Sequence, residues 1–459
     1  MDGDLRTRIW DVWKRTISLS WPIAIQQVLN TLMRTVDIIV TALFSPAAVA
    51  AVGLADLYAQ FPLRVGISLG TGAIALSSQE TGREATLSRD RAITQSLIIG
   101  FLLGIPLLVL GILLSDFFIE VLGAESEVVA LGGAYLAIIF AASPMRIVAL
   151  VGARSLQGTG DTFTPMVINA GANIVNIALT ISLGLGLLGM PRLEIIGVGI
   201  ATAVSRTLEA VAMTGAIAID WTEPGLARPQ GLTITKQLIM ISTPTFAEGM
   251  TSSLARFPLN AMILLFGTEP NAAYHIGRRI YQQLGAPFYR SYSVASSVIA
   301  GQSLGAGMPQ KARFEGLAIT AFSLLTLGIA STVLFILAEP IARILTDDAA
   351  TIEHAIVFTQ VFAGAIVIFG VFSPIAGVLR GAGDTTTPFI GRLIGSVVFL
   401  LGFSYVVAIM LDVGLPGIYA GILLNYLCWM VVVTIGFFRG GWMAKAASLI
   451  DERKQAAEA

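Results

Sequence analysis

The chain contains an internal repeat whose offset is constant over most of its length. The segment Gln79–Gly82 has its counterpart at Gln302–Gly305 in the second half of the chain. The segment Gly158–Pro165, which reads Gly-Thr-Gly-Asp-Thr-Phe-Thr-Pro, has its counterpart at Gly381–Pro388, at the same offset as the first pair. A constant offset indicates a duplicated unit, and duplicated units are the usual framework of secondary transporters, whose substrate site lies between the halves.

The composition places both halves in a membrane. Of 459 residues, 55% are hydrophobic and 12% are charged, and the mean hydropathy is +0.80. In soluble domains, roughly a quarter of the residues are charged. A spanning helix needs about 20 mostly apolar residues, and cutting at charged residues and at Gly/Pro clusters gives about twelve such segments. They lie near residues 16–43, 48–79, 92–115, 127–153, 163–188, 195–219, 236–266, 271–303, 313–345, 351–379, 388–411 and 415–438.

These segments predict an all-α integral membrane protein of two six-helix bundles. The polar stretch 220–236 separates an N-lobe, residues 1–225, from a C-lobe, residues 226–459, which ends in a cytoplasmic tail. Lys and Arg collect in the loops on the side of both termini, which predicts that both termini are cytoplasmic. The net charge of −1 and the absence of long basic runs argue against a nucleic-acid partner.

Polar residues recur at steps of 4, 3 and 4 in two of the predicted spans, and this spacing places them on one helical face. The first span carries Asn30, Arg34, Asp37 and Thr41, and the fifth carries Asn169, Asn173, Asn176 and Thr180. We expect the two faces to meet across a polar interior. An ionisable residue at membrane depth is a functional candidate by default, so Asp37 is predicted to bind and release a proton. A static ion pair with Arg34 is the alternative.

The remaining polar residues of the spans predict a substrate cavity. Its predicted members are Asn30, Arg34, Asp56, Arg64, Glu248, Arg256, Asn260, His275, Arg278 and Gln282. Glu248 contacts the substrate or pairs with a nearby arginine, and His275 titrates near neutral pH or is a neutral hydrogen-bonded histidine. Asn260 is the counterpart of Asp37 under the offset of the repeat, so the second half has no carboxylate at that position, and the N-lobe is expected to drive coupling.

The paired Gly-x-Gly-Asp-Thr-x-Thr-Pro segments are predicted to be turns that cap the helix that follows. They lack the lysine and the preceding strand of a phosphate-binding loop. The sequence has no cluster with metal-ligand spacing and no nucleophile–base arrangement, which argues against an enzyme and against a cofactor.

Several segments together resemble the multidrug and toxic compound extrusion (MATE) family, and within it the DinF-like branch. They are Val36–Ile38, Ala50–Ala55, Gly301–Gly307 and the paired turns, and the resemblance covers the chain from Trp21 to about Phe438. It implies two bundles of six helices in a V. It also implies multidrug efflux, in which organic cations or other amphipathic compounds leave the cell in exchange for protons or sodium.

The resemblance assigns the cation-coupling residues to Asp37, Asn173, Asn176 and Thr202, with Thr180 where the family often has a further aspartate. The site then has one carboxylate where two could have shared a sodium ion, and this difference favours protons as the coupling ion. Sodium bound by Asp37, Asn173 and Asn176 stays open, since amide and hydroxyl oxygens suit a hard cation.

The number of arginines in the predicted cavity does not fit a cationic cargo. The cavity arginines, together with Arg279, outnumber the three carboxylates Asp37, Asp56 and Glu248, so an anionic, zwitterionic or lipid-like cargo is also open. We expect a proton-driven antiporter that works by alternating access. It is expected to be a multi-pass plasma-membrane monomer, with a small organic substrate and membrane lipid as partners. A sodium-coupled antiporter and a flippase for lipids or lipid-linked precursors are the alternatives.

Overall fold

The structure is a computed structural model that describes residues 2–458, and the side chains of residues 5–457. Only the outermost ends of the two predicted lobes lie outside the described residues. Within the described residues the chain is helical and contains no strand. The helices are α1 Asp2–Ala42, α2 Pro46–Gly82, α3 Thr86–Glu120, α4 Ser126–Ala141, α5 Ser143–Thr159, α6 Phe163–Leu185, α7 Glu194–Ala218, α8 Thr233–Leu254, α9 Arg256–Leu264, α10 Thr268–Leu284, α11 Ala286–Gly305, α12 Pro309–Ile336, α13 Ala338–Leu345, α14 Ala349–Gly381, α15 Thr386–Ile394, α16 Leu415–Arg439 and α17 Gly441–Glu458. After α15 the chain continues as π-helix over Gly395–Phe403 and Tyr405–Met410.

Each of the twelve predicted segments is helical, so the prediction of an all-α membrane protein is confirmed. Eight helices of the described chain are long and apolar enough to cross a membrane, and the bent pair α4 and α5 makes a ninth. The three predicted spans outside this set are α2, the pair α8 and α9, and the pair α10 and α11. These three spans carry most of the predicted cavity residues, and α9 and α10 are individually too short to cross a membrane, at 9 and 17 residues.

Four predicted spans are interrupted at a single residue. The breaks fall at Ala142, Ala255, Gly285 and Leu337. All four precede a proline in the first turn of the next helix, namely Pro144 in α5, Pro258 in α9, Pro287 in α11 and Pro340 in α13. Proline has no N–H to donate and is well tolerated there. At the first of these breaks the axis bends by 47°.

The chain forms two compact units that do not follow the sequence order. One, here called the N-terminal unit, comprises Ile25–Ser77 and Ala85–Ile239. The other, the C-terminal unit, comprises Met1–Ala24, Ser78–Glu84 and Met240–Ala459. The start of α1 and the end of α2 therefore belong to the same unit as the second half of the chain.

The repeated glycine motif forms a close helix crossing inside the C-terminal unit. A Cβ atom on Gly82 would lie 1.9 Å from the carbonyl oxygen of Gln302, and one on Gly305 would lie 1.9 Å from the carbonyl oxygen of Gln79. The ends of α2 and α11 thus approach backbone to backbone, and only glycine fits at either position. This contact gives a structural reason for the motif with which the sequence repeat begins.

The paired Gly-Asp-Thr turns cap helices, as the sequence predicted. Asp161 Oδ1 accepts a hydrogen bond from the Thr164 backbone N–H at 2.9 Å. Asp384 accepts from the backbone N–H and the hydroxyl of Thr387, at 3.3 and 2.7 Å. Gly160 and Gly383 have φ values of +105° and +85°, which glycine adopts without steric penalty.

The C-terminal tail is the helix α17, and it is packed against the C-terminal unit. Five of its residues are buried, and four of them, Trp442, Ala446, Leu449 and Arg453, follow one another at steps of 4, 3 and 4, with Ile450 beside Leu449. Arg453 Nε donates to Glu80 Oε1 at 2.6 Å, and both side chains are 0% exposed. Arg453 Nη2 also donates to Gln79 Oε1 at 2.6 Å. The buried ion pair attaches the end of α2 to the last helix of the chain.

Candidate functional site

Asp37, on α1, has a neutral group as its direct partner. The Thr180 hydroxyl, on α6, donates to Asp37 Oδ1 at 2.9 Å. Thr180 is fully buried and Asp37 is half-buried. Arg34 is exposed, and in the described part of the chain it forms no ion pair with Asp37 within 4.0 Å. The static Asp37–Arg34 pair considered from the sequence is therefore not formed.

The polar stripes of α1 and α6 meet, as their equal spacing predicted. Asn30 Oδ1 accepts from Asn173 Nδ2 at 3.2 Å and from Asn169 Nδ2 at 3.4 Å. Asn173 Nδ2 also donates to Asn169 Oδ1 at 3.0 Å. Because each amide both donates and accepts, the stripe forms a continuous hydrogen-bonded ladder within the N-terminal unit.

Glu209, on α7, extends this ladder, and sequence reasoning missed its connection. Its carboxylate accepts from Asn169 Nδ2 at 2.7 Å and from Arg206 Nη1 at 2.5 Å. Arg206 Nη2 in turn donates to Asn173 Oδ1 at 3.2 Å. The spacing of Arg206 and Glu209 reveals the ion pair between them, but the link to the asparagines depends on how α6 packs on α7.

Asn176 lies beside the predicted coupling residue Thr202. Asn176 Nδ2 is 3.3 Å from Thr202 Oγ1 and 3.3 Å from Ser205 Oγ. The buried Asn176 Oδ1 has no hydrogen-bond partner among the described residues. The structure thus brings Asn176 and Thr202 together and leaves one amide oxygen able to accept a further hydrogen bond or to ligate a cation.

Asp56 and Arg64, both on α2, are less directly connected to the Asp37–Thr180 pair. Asp56 interacts electrostatically with Arg34 and Arg146 and forms no ion pair within 4.0 Å among residues 5–457. Arg146 Nη1 donates to the Ala59 carbonyl oxygen of α2 at 3.3 Å. Arg64 is half-buried. Asp56 therefore places charge near Asp37 without contacting its carboxylate.

Glu248, on α8 of the C-terminal unit, is held by two arginines. Arg380 Nη2 donates to its two carboxylate oxygens at 2.8 and 3.0 Å, and Arg392 Nε lies 3.0 Å from Oε1. The Arg392 guanidinium also lies over the Trp429 ring, 3.9 Å from its centroid, and Arg392 Nη1 donates to Ser252 Oγ at 2.8 Å. Of the two roles that the sequence left open for Glu248, the structure forms the ion pair.

The other predicted cavity residues of the C-terminal unit lie on α9 and α10. His275 Nε2 is 2.9 Å from Asn260 Oδ1, so the histidine has an amide partner. Arg256 and Arg278 are half-buried and interact with each other electrostatically. Gln282 is half-buried on α10. This part of the unit is rich in donors and poor in acceptors.

A metal centre built from His, Cys, Asp or Glu is not formed by the described residues, which contain no cluster of three such groups. A sodium ion at Asp37 would therefore rely on amide and hydroxyl oxygens to complete its coordination. Thr180 already contacts the carboxylate, and the other ligands that the sequence predicts are the amide oxygens of Asn173 and Asn176.

The chain matches a known protein family along most of its length. The MatE family model matches residues 22–181 and 244–406, and the starts of these two stretches are separated by nearly the offset of the internal repeat. A probable multidrug resistance protein NorM of Thermotoga maritima is 25% identical over 450 residues, which cover 96% of each chain. A probable multidrug resistance protein NorM of Rhodopseudomonas palustris is 26% identical over 455 residues, covering 95% of this chain and 93% of the relative.

A solved structure agrees with the helical architecture. A crystal structure described as MATE in the bent conformation has a TM-score of 0.86 to this chain at 20% identity, and the match covers 99% of both chains. At that identity the likeness concerns the fold.

Proposed function

Because this chain belongs to the MatE family, we propose that it is a multidrug efflux antiporter that exports amphipathic organic compounds in exchange for protons. The chain is a transporter and not an enzyme. Curated relatives that match nearly its whole length are named as multidrug resistance proteins, which supports the efflux direction. Alternating access is the proposed mechanism, in which proton binding favours one of two packings of the helices.

The contact between Asp37 and Thr180 is the observation that carries proton coupling. The direct partner of the carboxylate is a hydroxyl at 2.9 Å, and a hydroxyl can donate or accept. The hydrogen bond can therefore persist after protonation if the two groups exchange roles. No ion pair within 4.0 Å among the described residues holds Asp37 to one charge state.

Sodium coupling is the second candidate, and one observation favours it. The buried Asn176 Oδ1 has no hydrogen-bond partner in the described part of the chain, and an amide oxygen is a suitable ligand for a hard cation. Thr180 occupies the position where the resemblance implies a second carboxylate. With one carboxylate at this position, protons are the proposed coupling ion.

Asp37→Asn tests the proposal directly. Asparagine retains the shape of the side chain but does not exchange a proton, so we expect reconstituted vesicles containing this variant to lose efflux driven by a pH gradient. Imposing pH and sodium gradients separately identifies the coupling ion. Efflux driven equally well in Asp37→Asn and in the unmodified protein would remove the proposal.

Asp412→Asn is the matched control for that experiment. Asp412 lies in an exposed turn with φ of +54°, a conformation that asparagine tolerates. The same chemical change at this position should leave expression and efflux unchanged.

We further propose a monomer in the plasma membrane with both termini cytoplasmic, in contact with membrane lipid. The charge distribution of the loops supports this orientation. Protease sensitivity of a tag placed after residue 459, compared in intact and permeabilised cells, tests it: a tag cleaved in intact cells would contradict a cytoplasmic C-terminus.

A further inference from the structure

Arg256 and Arg278, in the C-terminal unit, have no acidic partner within 4.0 Å among the described residues. Arg256 begins α9, directly after the break at Ala255, and Arg278 lies on α10. Among the described residues, neither forms an ion pair within 4.0 Å or a side-chain hydrogen bond. Both side chains are half-buried, so their guanidinium groups are neither sealed in the core nor fully exposed.

The nearby carboxylate is already neutralised. Glu248 is bound by Arg380 at 2.8 Å and by Arg392 at 3.0 Å. The main electrostatic neighbours of Arg256 are Arg278, Arg392 and two tyrosines. Glu248 is therefore already paired with two arginines that are not Arg256 or Arg278, and cations without a counter-charge at membrane depth are unfavourable.

The surroundings of these arginines are aromatic. Tyr274 and Tyr426 are the two tyrosines that interact with Arg256. Tyr274 packs edge-on against Phe358 with ring centroids 5.6 Å apart, and Tyr426 packs edge-on against Trp429 at 4.9 Å. Rigid aromatic side chains beside cations provide stacking surface and hydroxyl groups for a planar ligand that carries negative charge.

We propose that Arg256 and Arg278 bind a carboxylate or phosphate group of the transported compound. The inference rests on the proposed transport function and narrows its cargo to anionic or zwitterionic aromatic compounds. A guanidinium group matches either anion with two parallel hydrogen bonds. The charge of the cargo is then selected in the C-terminal unit by these two arginines, and proton coupling is a separate property of Asp37.

A binding assay without any gradient tests the inference independently of coupling. Fluorescence polarisation of carboxyfluorescein, an anionic planar dye, is compared with that of rhodamine 6G, a cationic dye of similar shape, on the full chain in detergent. The unmodified protein should bind carboxyfluorescein more tightly. Tighter binding of rhodamine 6G would overturn the inference, and this comparison requires no variant to fold.

Arg256→Gln and Arg278→Gln should each weaken carboxyfluorescein binding about tenfold or more, because each removes a charge-assisted contact. Rhodamine 6G binding should stay the same or tighten. Arg256→Lys and Arg278→Lys, which keep the charge but lose the paired donors, should lie between the glutamine variants and the unmodified protein. Unchanged carboxyfluorescein binding in both glutamine variants would contradict the assignment.

Arg343→Gln is the control that removes the same charge elsewhere in the unit. Arg343 is exposed and paired with Glu339 at 2.8 Å, so this variant should bind both dyes as the unmodified protein does. A loss equal to that of Arg256→Gln would show that net charge, and not the site, governs binding.

Competition identifies the source of the anion. Displacement of carboxyfluorescein by phosphatidylglycerol and not by phosphatidylcholine in mixed micelles would assign the site to a lipid head group. Displacement by phenyl phosphate alone would assign it to soluble anionic compounds. Both results retain the arginine site, whereas displacement by neither would refute it. Asp37→Asn should bind carboxyfluorescein normally, so failure of coupling and failure of this inference are distinguishable.

Discussion

Asp37 and Glu248 are both carboxylates within helices of a membrane chain, yet the structure surrounds them differently. Asp37 accepts one hydrogen bond from the Thr180 hydroxyl. Glu248 is 4% exposed and contacts two guanidinium groups. Protonation of Glu248 would leave two arginines without a counter-charge, whereas protonation of Asp37 would require only that one hydrogen bond reverse its direction.

Depth in the membrane does not by itself identify a coupling residue. Both carboxylates are ionisable groups in predicted spans, and the sequence alone makes both candidates. The charged groups in direct contact with a carboxylate determine its role. A carboxylate without a cationic partner can gain and lose a proton, whereas one bound to cations neutralises them. Each of the following variants tests one side of this comparison.

Glu248→Gln should have the largest effect on stability. The variant leaves Arg380 and Arg392 without their shared acid, and breaking a buried ion pair typically costs about 3–5 kcal/mol. We expect a large drop in the melting temperature of the purified protein in detergent, measured by intrinsic fluorescence. If the variant melts like the unmodified protein and loses only proton-driven efflux, Glu248 and not Asp37 would be the proton-coupling residue.

Glu339→Gln provides the reference for that measurement. Glu339 pairs with Arg343 at 2.8 Å, but both side chains are more than half exposed. Exposed ion pairs contribute roughly 0–1 kcal/mol, so this substitution should change the melting temperature little.

Arg453→Gln should have the second largest effect. It removes the Arg453 contacts to Glu80 and Gln79, but Arg83 still lies 2.8 Å from the Glu80 carboxylate. Because one cation remains, we expect a loss of about 1.5–3 kcal/mol, the usual contribution of a hydrogen bond to a charged group, with proton coupling retained.

Lys454→Gln changes the neighbouring charge on the exposed side of α17 and should melt like the unmodified protein. Loss of coupling in Arg453→Gln without loss of stability would mean that an ion-paired carboxylate can take part in transport. That result would contradict the distinction between Asp37 and the ion-paired carboxylates.

Helical periodicity predicted much of the fold and of the N-terminal unit's polar interior. The steps of 4, 3 and 4 shared by the α1 and α6 stripes were sufficient to predict that their asparagines meet. The constant offset located the capping turns at Asp161 and Asp384. These features depend on local spacing, which a sequence displays directly.

The same period was present at the C-terminus and was overlooked there. Trp442, Ala446, Leu449 and Arg453 repeat the steps of 4, 3 and 4, which indicates a helix with one packed face, although this segment was predicted only to be a cytoplasmic tail. The partners of Glu248 could not be predicted, because Arg380 and Arg392 lie far from it along the chain and meet it only when α8, α14 and α15 pack together.

Thr180→Val should have the smallest effect, and it tests the Asp37 side of the comparison. The substitution retains the shape of the side chain and removes the hydroxyl that, among the described residues, donates to the carboxylate. A hydrogen bond contributes about 1 kcal/mol, roughly a fivefold change in an equilibrium, so we expect proton-driven efflux to fall by about that factor with coupling retained. Thr180→Ser keeps the hydroxyl and should behave as the unmodified protein. If Thr180→Val and the unmodified protein show equal efflux at equal expression, the Thr180 hydroxyl does not affect proton binding by Asp37. A hydrogen-bond partner that contributes to proton binding must change the efflux rate when it is removed.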